Sequence, residues 1–297
     1  MNTSKAVKVS VISIIVNVIL SLVKFIVGFA AHSTALISDA VHSASDVFST
    51  FVVIIGVVIS GKGADKEHPY GHERIECIAA VILAAALAAT GLGIGYSGIL
   101  NIYTGEYKNM TIPGVAALVT AVISIMVKEL MYQYTRIAAK QINSDALMAD
   151  AWHHRSDALS SVGSFAGILG AMLGYPVFDS IAAIIICIFI LKAAIDITID
   201  SVNKLVDKSC DEKTQEAIAS VIRNQKGVEN LEDIKTRMFG AKIYVDIIIE
   251  VDGNLTLYKA HDIAQLVHDE VENQFPDVKH CMVHVNPYGT PEDEAGF

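Results

Sequence analysis

Asp39-Ala40-Val41-His42-Ser43-Ala44-Ser45-Asp46-Val47-Phe48-Ser49 is echoed by Asp150-Ala151-Trp152-His153-His154-Arg155-Ser156-Asp157-Ala158-Leu159-Ser160. The shared template is D-A-x-H-x-x-S-D-x-x-S. Each copy sits in an apolar stretch of membrane-spanning length. On a helix, positions four apart lie on one face. His42 then stands beside Asp46, and His153 beside Asp157. Two such helices facing each other bring two imidazoles and two carboxylates to one point. That donor set suits a tetrahedral divalent metal, here inside a bilayer.

Working outward, the chain has 297 residues, and 53% of them are hydrophobic. Its mean hydropathy of +0.47 is too high for an ordinary soluble protein of this length. The charge is uneven. Up to about residue 203 the chain is apolar with short polar breaks; beyond it, Asp and Glu crowd in and supply most of the net charge of −10. This predicts a membrane domain over 1–206, a soluble domain over 207–288 and a disordered acidic tail over 289–297. Cys77, Cys187, Cys210 and Cys281 form no CxxC pair, so neither a disulfide framework nor a zinc-thiolate cluster is indicated. Cys187, inside an isoleucine run, reads as a packing residue.

A helix needs about 20 apolar residues to cross a bilayer. The sequence predicts six transmembrane helices, over 9–31, 34–59, 75–101, 112–133, 146–173 and 176–199. The breaks carry turn residues: His32-Ser33, Gly61-Lys62-Gly63, Thr104-Gly105 and Gly174-Tyr175-Pro176. If the spans alternate, Lys5, Lys8, Lys62, Lys66, Arg74, Arg136, Lys140, Lys204 and Lys208 share one side, and Lys108 is on the other. The positive-inside rule places both termini in the cytoplasm. In that orientation the second span runs outward to inward and the fifth runs inward to outward. The two His/Asp pairs then arrive near the same depth.

Past residue 211 the periodicity changes. Asp211 to Asn224 reads as an amphipathic helix. Val228 to Met238 and Ile243 to Val251 read as strands joined by a Phe239-Gly240 turn. Leu257 to Gln274 reads as a second helix, and Val278 to Val285 as a third strand. The order αββαβ predicts a small α+β sandwich.

Ionisable groups at bilayer depth cost about 2.5–3.5 kcal/mol each on insertion scales. A plainer reading is that Asp and His pair with Arg155 or Lys128 to tie helices together. Two matched copies of the template favour a metal site instead. Two carboxylates neutralise a divalent ion. When the ion leaves, imidazole can take a proton in its place. Metal and protons then compete for one site, which is the physical basis of antiport. Asp39 and Asp150 lie one turn away and are expected to line the access path or support the ligands. Lys128, Glu129 and Arg155 are further charges in the spans; an interhelical salt bridge that packs or gates the bundle is expected of them. A second cluster follows span two. Asp65, His68 and His72 are spaced three and four apart in a loop that Pro69 and Gly71 can turn tightly.

The segments SDAVHSASD, DAWHHRSD and HPYGHERIE, with the six spans and the αββαβ tail, resemble the cation diffusion facilitator family over nearly the whole chain. The resemblance implies a homodimeric divalent-metal/proton antiporter with a metallochaperone-like cytoplasmic domain. It places the transport site at His42, Asp46, His153 and Asp157. It places a cytoplasmic loop site at Asp65, His68 and His72. His at the first position resembles zinc-type members, where manganese-type members tend to carry Asp or Asn. In the cytoplasmic domain, members with a well-formed dinuclear site use strand histidines. Here Glu232 and Ile248 stand at those positions and Asn286 where an acid would sit, which leaves His261 and His284 as ligands.

The expected function is therefore Zn²⁺/H⁺ antiport that moves metal outward from the cytoplasm by alternating access. Zn²⁺ is the transported substrate and a possible structural ligand; no prosthetic group and no nucleic-acid partner are expected. The expected location is a bacterial inner membrane. Fe²⁺, Cd²⁺, Co²⁺, Ni²⁺ or Mn²⁺ as cargo is the nearest alternative, since affinity order alone does not set selectivity. A membrane metalloenzyme would need an open coordination position and a general base; the sequence has no H-E-x-x-H, and no enzyme is expected. A metal sensor or scaffold is the third class, and the degraded tail ligands count against it.

Overall fold

The computed structural model describes residues 3–30, 34–105, 115–172 and 177–289. The chain divides into two compact units, Met1–Val202 and Asn203–Phe297.

The first unit contains six long helices among the described residues: α1 (Thr3–Ala30), α2 (Thr34–Ser60), α3 (Ile75–Thr104), α4 (Val115–Ile142), α5 (Asp145–Met172) and α6 (Val177–Leu205). The shortest has 27 residues, and at about 1.5 Å per residue each helix is longer than the roughly 30 Å hydrocarbon layer. By composition alone, two described stretches are apolar enough to span, Thr3–Val27 and Ile75–Thr104. The reason is clearest in α5, whose first half carries Asp145, Asp150, His153, His154, Arg155 and Asp157. Such a helix enters a bilayer only with its polar face turned to partners.

The unit has an apolar core that includes Val53, Leu83, Leu87, Leu147 and Ile190, but its outer face is also apolar. On α1, Ile15, Ile19 and Ile26 are 52%, 56% and 64% exposed, whereas Asn17 and Lys24 are 0% and 2% exposed. On this helix large apolar side chains face out while Asn17 and Lys24 face in, as a lipid solvent favours. Phe29, Ile55, Leu92, Leu130 and Phe189 are likewise more than half exposed, an abundance of large apolar groups that a lipid surround explains.

Small residues on α3 let α6 approach closely. A Cβ added at Gly91 would meet Ile190 at 2.7 Å, and at Gly95 it would meet Cys187 Sγ at 2.5 Å. At Gly98 it would meet the Ser180 carbonyl at 2.8 Å. This stripe lets α3 and α6 approach as packed membrane helices do. Cys187 is a packing residue there. The predicted break at Thr104-Gly105 is a left-handed C-cap: Gly105 has φ 74° and its N–H donates to the Asn101 carbonyl. The predicted breaks at His32-Ser33 and Gly174-Tyr175-Pro176 lie outside the described residues.

The second unit is the αββαβ domain the sequence predicts: α7 (Glu212–Arg223), β1 (Asn230–Phe239), β2 (Lys242–Val251), α8 (Leu257–Gln274) and β3 (Val278–Pro287). The sheet order is β1-β2-β3. β1 and β2 form an antiparallel hairpin, turned at Gly240 with φ 62°. β3 joins β2 in parallel after the α8 crossover. A register shift between Leu231 and Asp233 marks a bulge in β1 at Glu232. Val245, Ile247 and Ile249 alternate along β2 into a core with Ile218, Ile222, Val267 and Val271. Asp211 caps α7 by accepting the Thr214 N–H at 3.0 Å. Its carboxyl is held below the usual range by the Thr214 hydroxyl and then the Thr214 amide. Of the predicted acidic tail, residues 290–297 lie outside the described residues.

Candidate metal centre

Helices α2 and α5 bring the two halves of the repeat together. Asp46 projects from α2; His153 and Asp157 project from α5. His153 Nε2 lies 3.3 Å from Asp46 Oδ1 and 4.0 Å from Asp157 Oδ2. One donor atom from each residue falls within 4.8 Å of the others. Asp46 and Asp157 are 3% and 7% exposed. Each carboxylate is therefore out of water and must be neutralised nearby. The i,i+4 spacing on α5 and the crossing of α2 against it give three of the four predicted donors one focus. The fourth, His42, lies on α2, but its side chain is outside the described residues; so is that of Asp39.

The structure adds a group to this focus. Lys128, on α4, is buried and places Nζ 2.6 Å from Asp46 Oδ2 and 2.8 Å from Asp157 Oδ2. It also donates to Asn17 Oδ1 on α1 at 3.0 Å. The sequence predicts an interhelical salt bridge from Lys128, and one is present; its spacing alone does not show which carboxylates it meets. Its neighbour Glu129 points elsewhere and accepts from Arg155 Nη1 at 3.2 Å. The Arg155 guanidinium lies 4.5 Å from the Tyr132 ring centre. Adjacent residues on a helix face different ways, and the two charges take separate partners.

Asp150 is fully buried. Its Oδ1 accepts from the Thr50 hydroxyl on α2 at 3.4 Å, and its Oδ2 lies 3.6 Å from His154 Nε2. His154, also fully buried, is a member of the repeat for which sequence reading offers no role. The signal was available: His154 follows Asp150 by four residues, one helical turn.

The loop cluster between α2 and α3 is also assembled. Asp65 Oδ1 is 3.6 Å from His68 Nδ1, and Asp65 Oδ2 is 3.4 Å from His72 Nε2. The His68 and His72 rings lie 4.5 Å apart between centres. Their donor atoms fall within the same 4.8 Å limit. Asp65 Oδ1 accepts the N–H groups of His68 at 2.7 Å and Glu67 at 3.0 Å. The His68 amide is the main reason its carboxyl sits below the usual range. His72 Nδ1 faces the Gly63 carbonyl at 3.2 Å. If Nδ1 carries the proton, Nε2 keeps its lone pair toward Asp65, the arrangement a metal-binding histidine uses.

The cytoplasmic-domain candidates are not assembled. Among the described residues, His261 and His284 belong to neither cluster of three donors. Both are exposed, His261 on α8 and His284 on β3, where it pairs in register with Ile248. Ile248 offers no donor atom, so that strand pair cannot complete a site. Glu232, placed by the bulge, accepts from Asn286 Nδ2 at 2.9 Å.

A model of the cation efflux transmembrane domain matches residues 10–206, and one of the cation efflux protein cytoplasmic domain matches residues 210–288. The chain is 38% identical over 278 residues to the uncharacterised transporter MJ0449 of Methanocaldococcus jannaschii, covering 93% of this chain and 96% of that one. It is 33% identical over 288 residues to the manganese efflux system protein MneP of Bacillus subtilis, covering 95% and 96%. It is 33% identical over 264 residues to the magnetosome protein MamB of Magnetospira sp., covering 89% of each. Among solved structures, the cadmium form of a single-substitution variant of the MamM C-terminal domain is 25% identical. It covers 26% of this chain and 95% of that chain, with a TM-score of 0.25.

Proposed function

The chain belongs to the cation efflux, or cation diffusion facilitator, family of integral membrane metal transporters, and from that premise we propose that it exports Zn²⁺ from the cytoplasm in exchange for protons. The observation that supports this reading is the buried meeting of Asp46, His153 and Asp157 across α2 and α5. Two carboxylates cancel a divalent charge, and an imidazole suits zinc. His42, one turn from Asp46 on α2, is read as the fourth ligand. Alternating access would expose this focus first to one side and then to the other, with His153 taking a proton when metal leaves. The loop cluster is read as a second metal site on the cytoplasmic side. We read the protein as a homodimer of a bacterial cell membrane, with both termini in the cytoplasm, and as a carrier rather than an enzyme.

Manganese is the second reading. The observation that favours it is the 33% identity with MneP. Counting against it is the His42/His153 pair, since carboxylate and water suit Mn²⁺ better than imidazole does.

Proteoliposomes holding the full chain and a metal-sensitive dye decide between these. With a pH gradient imposed, zinc uptake is expected, and His153→Ala should abolish it. Uptake of manganese in preference to zinc would overturn the zinc assignment. Uptake that ignores the gradient would overturn antiport.

A further inference from the structure

We infer that the Lys128 ammonium is a tethered stand-in for the cargo: it holds the carboxylate pair of the transport site when no metal is bound, and metal loads only by displacing it. The inference rests on the transport-site reading above and adds a specific obligatory step to it.

The geometry is that of an occupied cation site. Nζ sits 2.6 Å from Asp46 and 2.8 Å from Asp157, so it spans carboxylates contributed by two different helices. A zinc ion would bond the same oxygens at about 2.0–2.2 Å. It would then stand within bonding range of the ammonium's own position. Two cations that close in a buried site repel each other strongly. The charge count agrees. Two carboxylates with the ammonium leave one negative charge, and with a divalent ion they leave none. With both cations the site would carry one uncompensated positive charge out of water, the arrangement burial penalises most. Metal and ammonium are thus exchanged rather than added.

The fold supplies what an exchange needs. The four-carbon stem fixes the ammonium to α4, so it can be pushed aside but never lost. Asn17 Oδ1, on α1, already accepts one of its hydrogen bonds at 3.0 Å and does not belong to the ligand set. The displaced head can keep that bond. Loading would then shift the balance of contacts from α4 with α2 and α5 toward α4 with α1. A plain helix tie is the competing explanation. The α4–α5 tie is supplied elsewhere, by Arg155 and Glu129, and a tie has no reason to aim at the point where His153 and both carboxylates converge.

The test uses the full chain in detergent with the loop cluster removed by Asp65→Ala, His68→Ala and His72→Ala, so that only the transport site is read, with Zn²⁺ alone as the probe in a calorimetric titration, and zinc flux in proteoliposomes. Lys128→Met keeps the stem and removes the competing charge. It should tighten zinc binding about tenfold to a hundredfold, the worth of one charge-assisted hydrogen bond no longer in competition. Flux should fall, because release loses the group that replaces the ion. Lys128→Arg keeps the charge and grips carboxylates through two donors, so it should weaken zinc binding at least about tenfold. An unchanged zinc affinity in Lys128→Met, with only a lower melting temperature, would overturn the inference in favour of a tie. Where Lys128→Met does not fold, an unchanged affinity in Lys128→Arg would overturn it equally. Asp46→Ala separates the two levels. If Asp46→Ala still binds zinc normally, the transport-site reading itself fails. If it loses binding while the Lys128 variants match the parent, only the stand-in fails.

Discussion

Asp157→Asn removes one charge and almost nothing else, because the amide copies the carboxylate's shape. In the metal-free protein the loss is small. Lys128 keeps Asp46 at 2.6 Å and Asn17 at 3.0 Å, and the new amide oxygen can still accept from it. The cost is the difference between a charge-assisted and a neutral hydrogen bond, about 1–1.5 kcal/mol. In the loaded protein the loss is larger. A unit charge removed about 4 Å from a divalent ion is worth roughly 8 kcal/mol at an effective dielectric of about 20. If relaxation and residual water leave about half of that, the loaded state loses about 4 kcal/mol; Kd registers the excess over the metal-free loss, about 2.5–3 kcal/mol, or about a hundredfold. Zinc binding should therefore weaken far more than the fold does. Calorimetric titration and thermal unfolding of the same detergent-purified sample measure both. A zinc Kd within about threefold of the parent, beside a lower melting temperature, would make Asp157 a structural partner of Lys128 and refute its role as a ligand.

Three further outcomes are expected. His42→Asp should loosen selectivity and admit Mn²⁺, because a carboxylate-rich site suits harder cations; an unchanged zinc-over-manganese ratio in competitive transport would count against His42 as a ligand. Gly95→Leu should block the close approach of α3 to α6, since a Cβ alone would already meet Cys187 Sγ at 2.5 Å; the yield of folded, monodisperse protein should drop, and Cys187→Ala should restore part of it. The cap on α7 should be insensitive to pH through the neutral range. Asp211 titrates below its ordinary 3.8 in the folded chain, so its contribution is complete above that value and is lost as pH falls through the lower folded one. Denaturant unfolding of the C-terminal unit should show this cap-dependent difference between parent and Asp211→Ala vanish only in that acid window.

Element types were legible because each has its own period. The i,i+4 repeat named His153 with Asp157 before any coordinates, and β-branched alternation named β2. What the sequence hid were relations between helices that are distant in the chain. Lys128 and Asp157 are on different helices, and no local pattern says that one side chain reaches both Asp46 and Asp157. Asp150 shows the same limit. Its spacing puts it near the ligands, but only the packing of α2 shows that Thr50 closes over it. The α3 glycines were visible as residues, while their partner, α6, was not. In the cytoplasmic domain the apolar Ile248 was readable, whereas the separation of His261 from His284 was not. The Glu232–Asn286 bond was not, because it depends on a bulge that shifts register by one residue.

The loop that follows α2 bears on timing. Asp65 is aimed by two backbone amides and His72 by the Gly63 carbonyl. The chain has met the entropy cost of gathering these donors while folding, so an arriving ion has no segment left to order. Capture at that point would run at the pace at which a divalent ion sheds its hydration shell, and it would leave almost no heat-capacity signature. On the reading of this loop as a metal site, it would serve as a fast antechamber that holds an ion beside the bundle while the slower helix rearrangements proceed on their own clock.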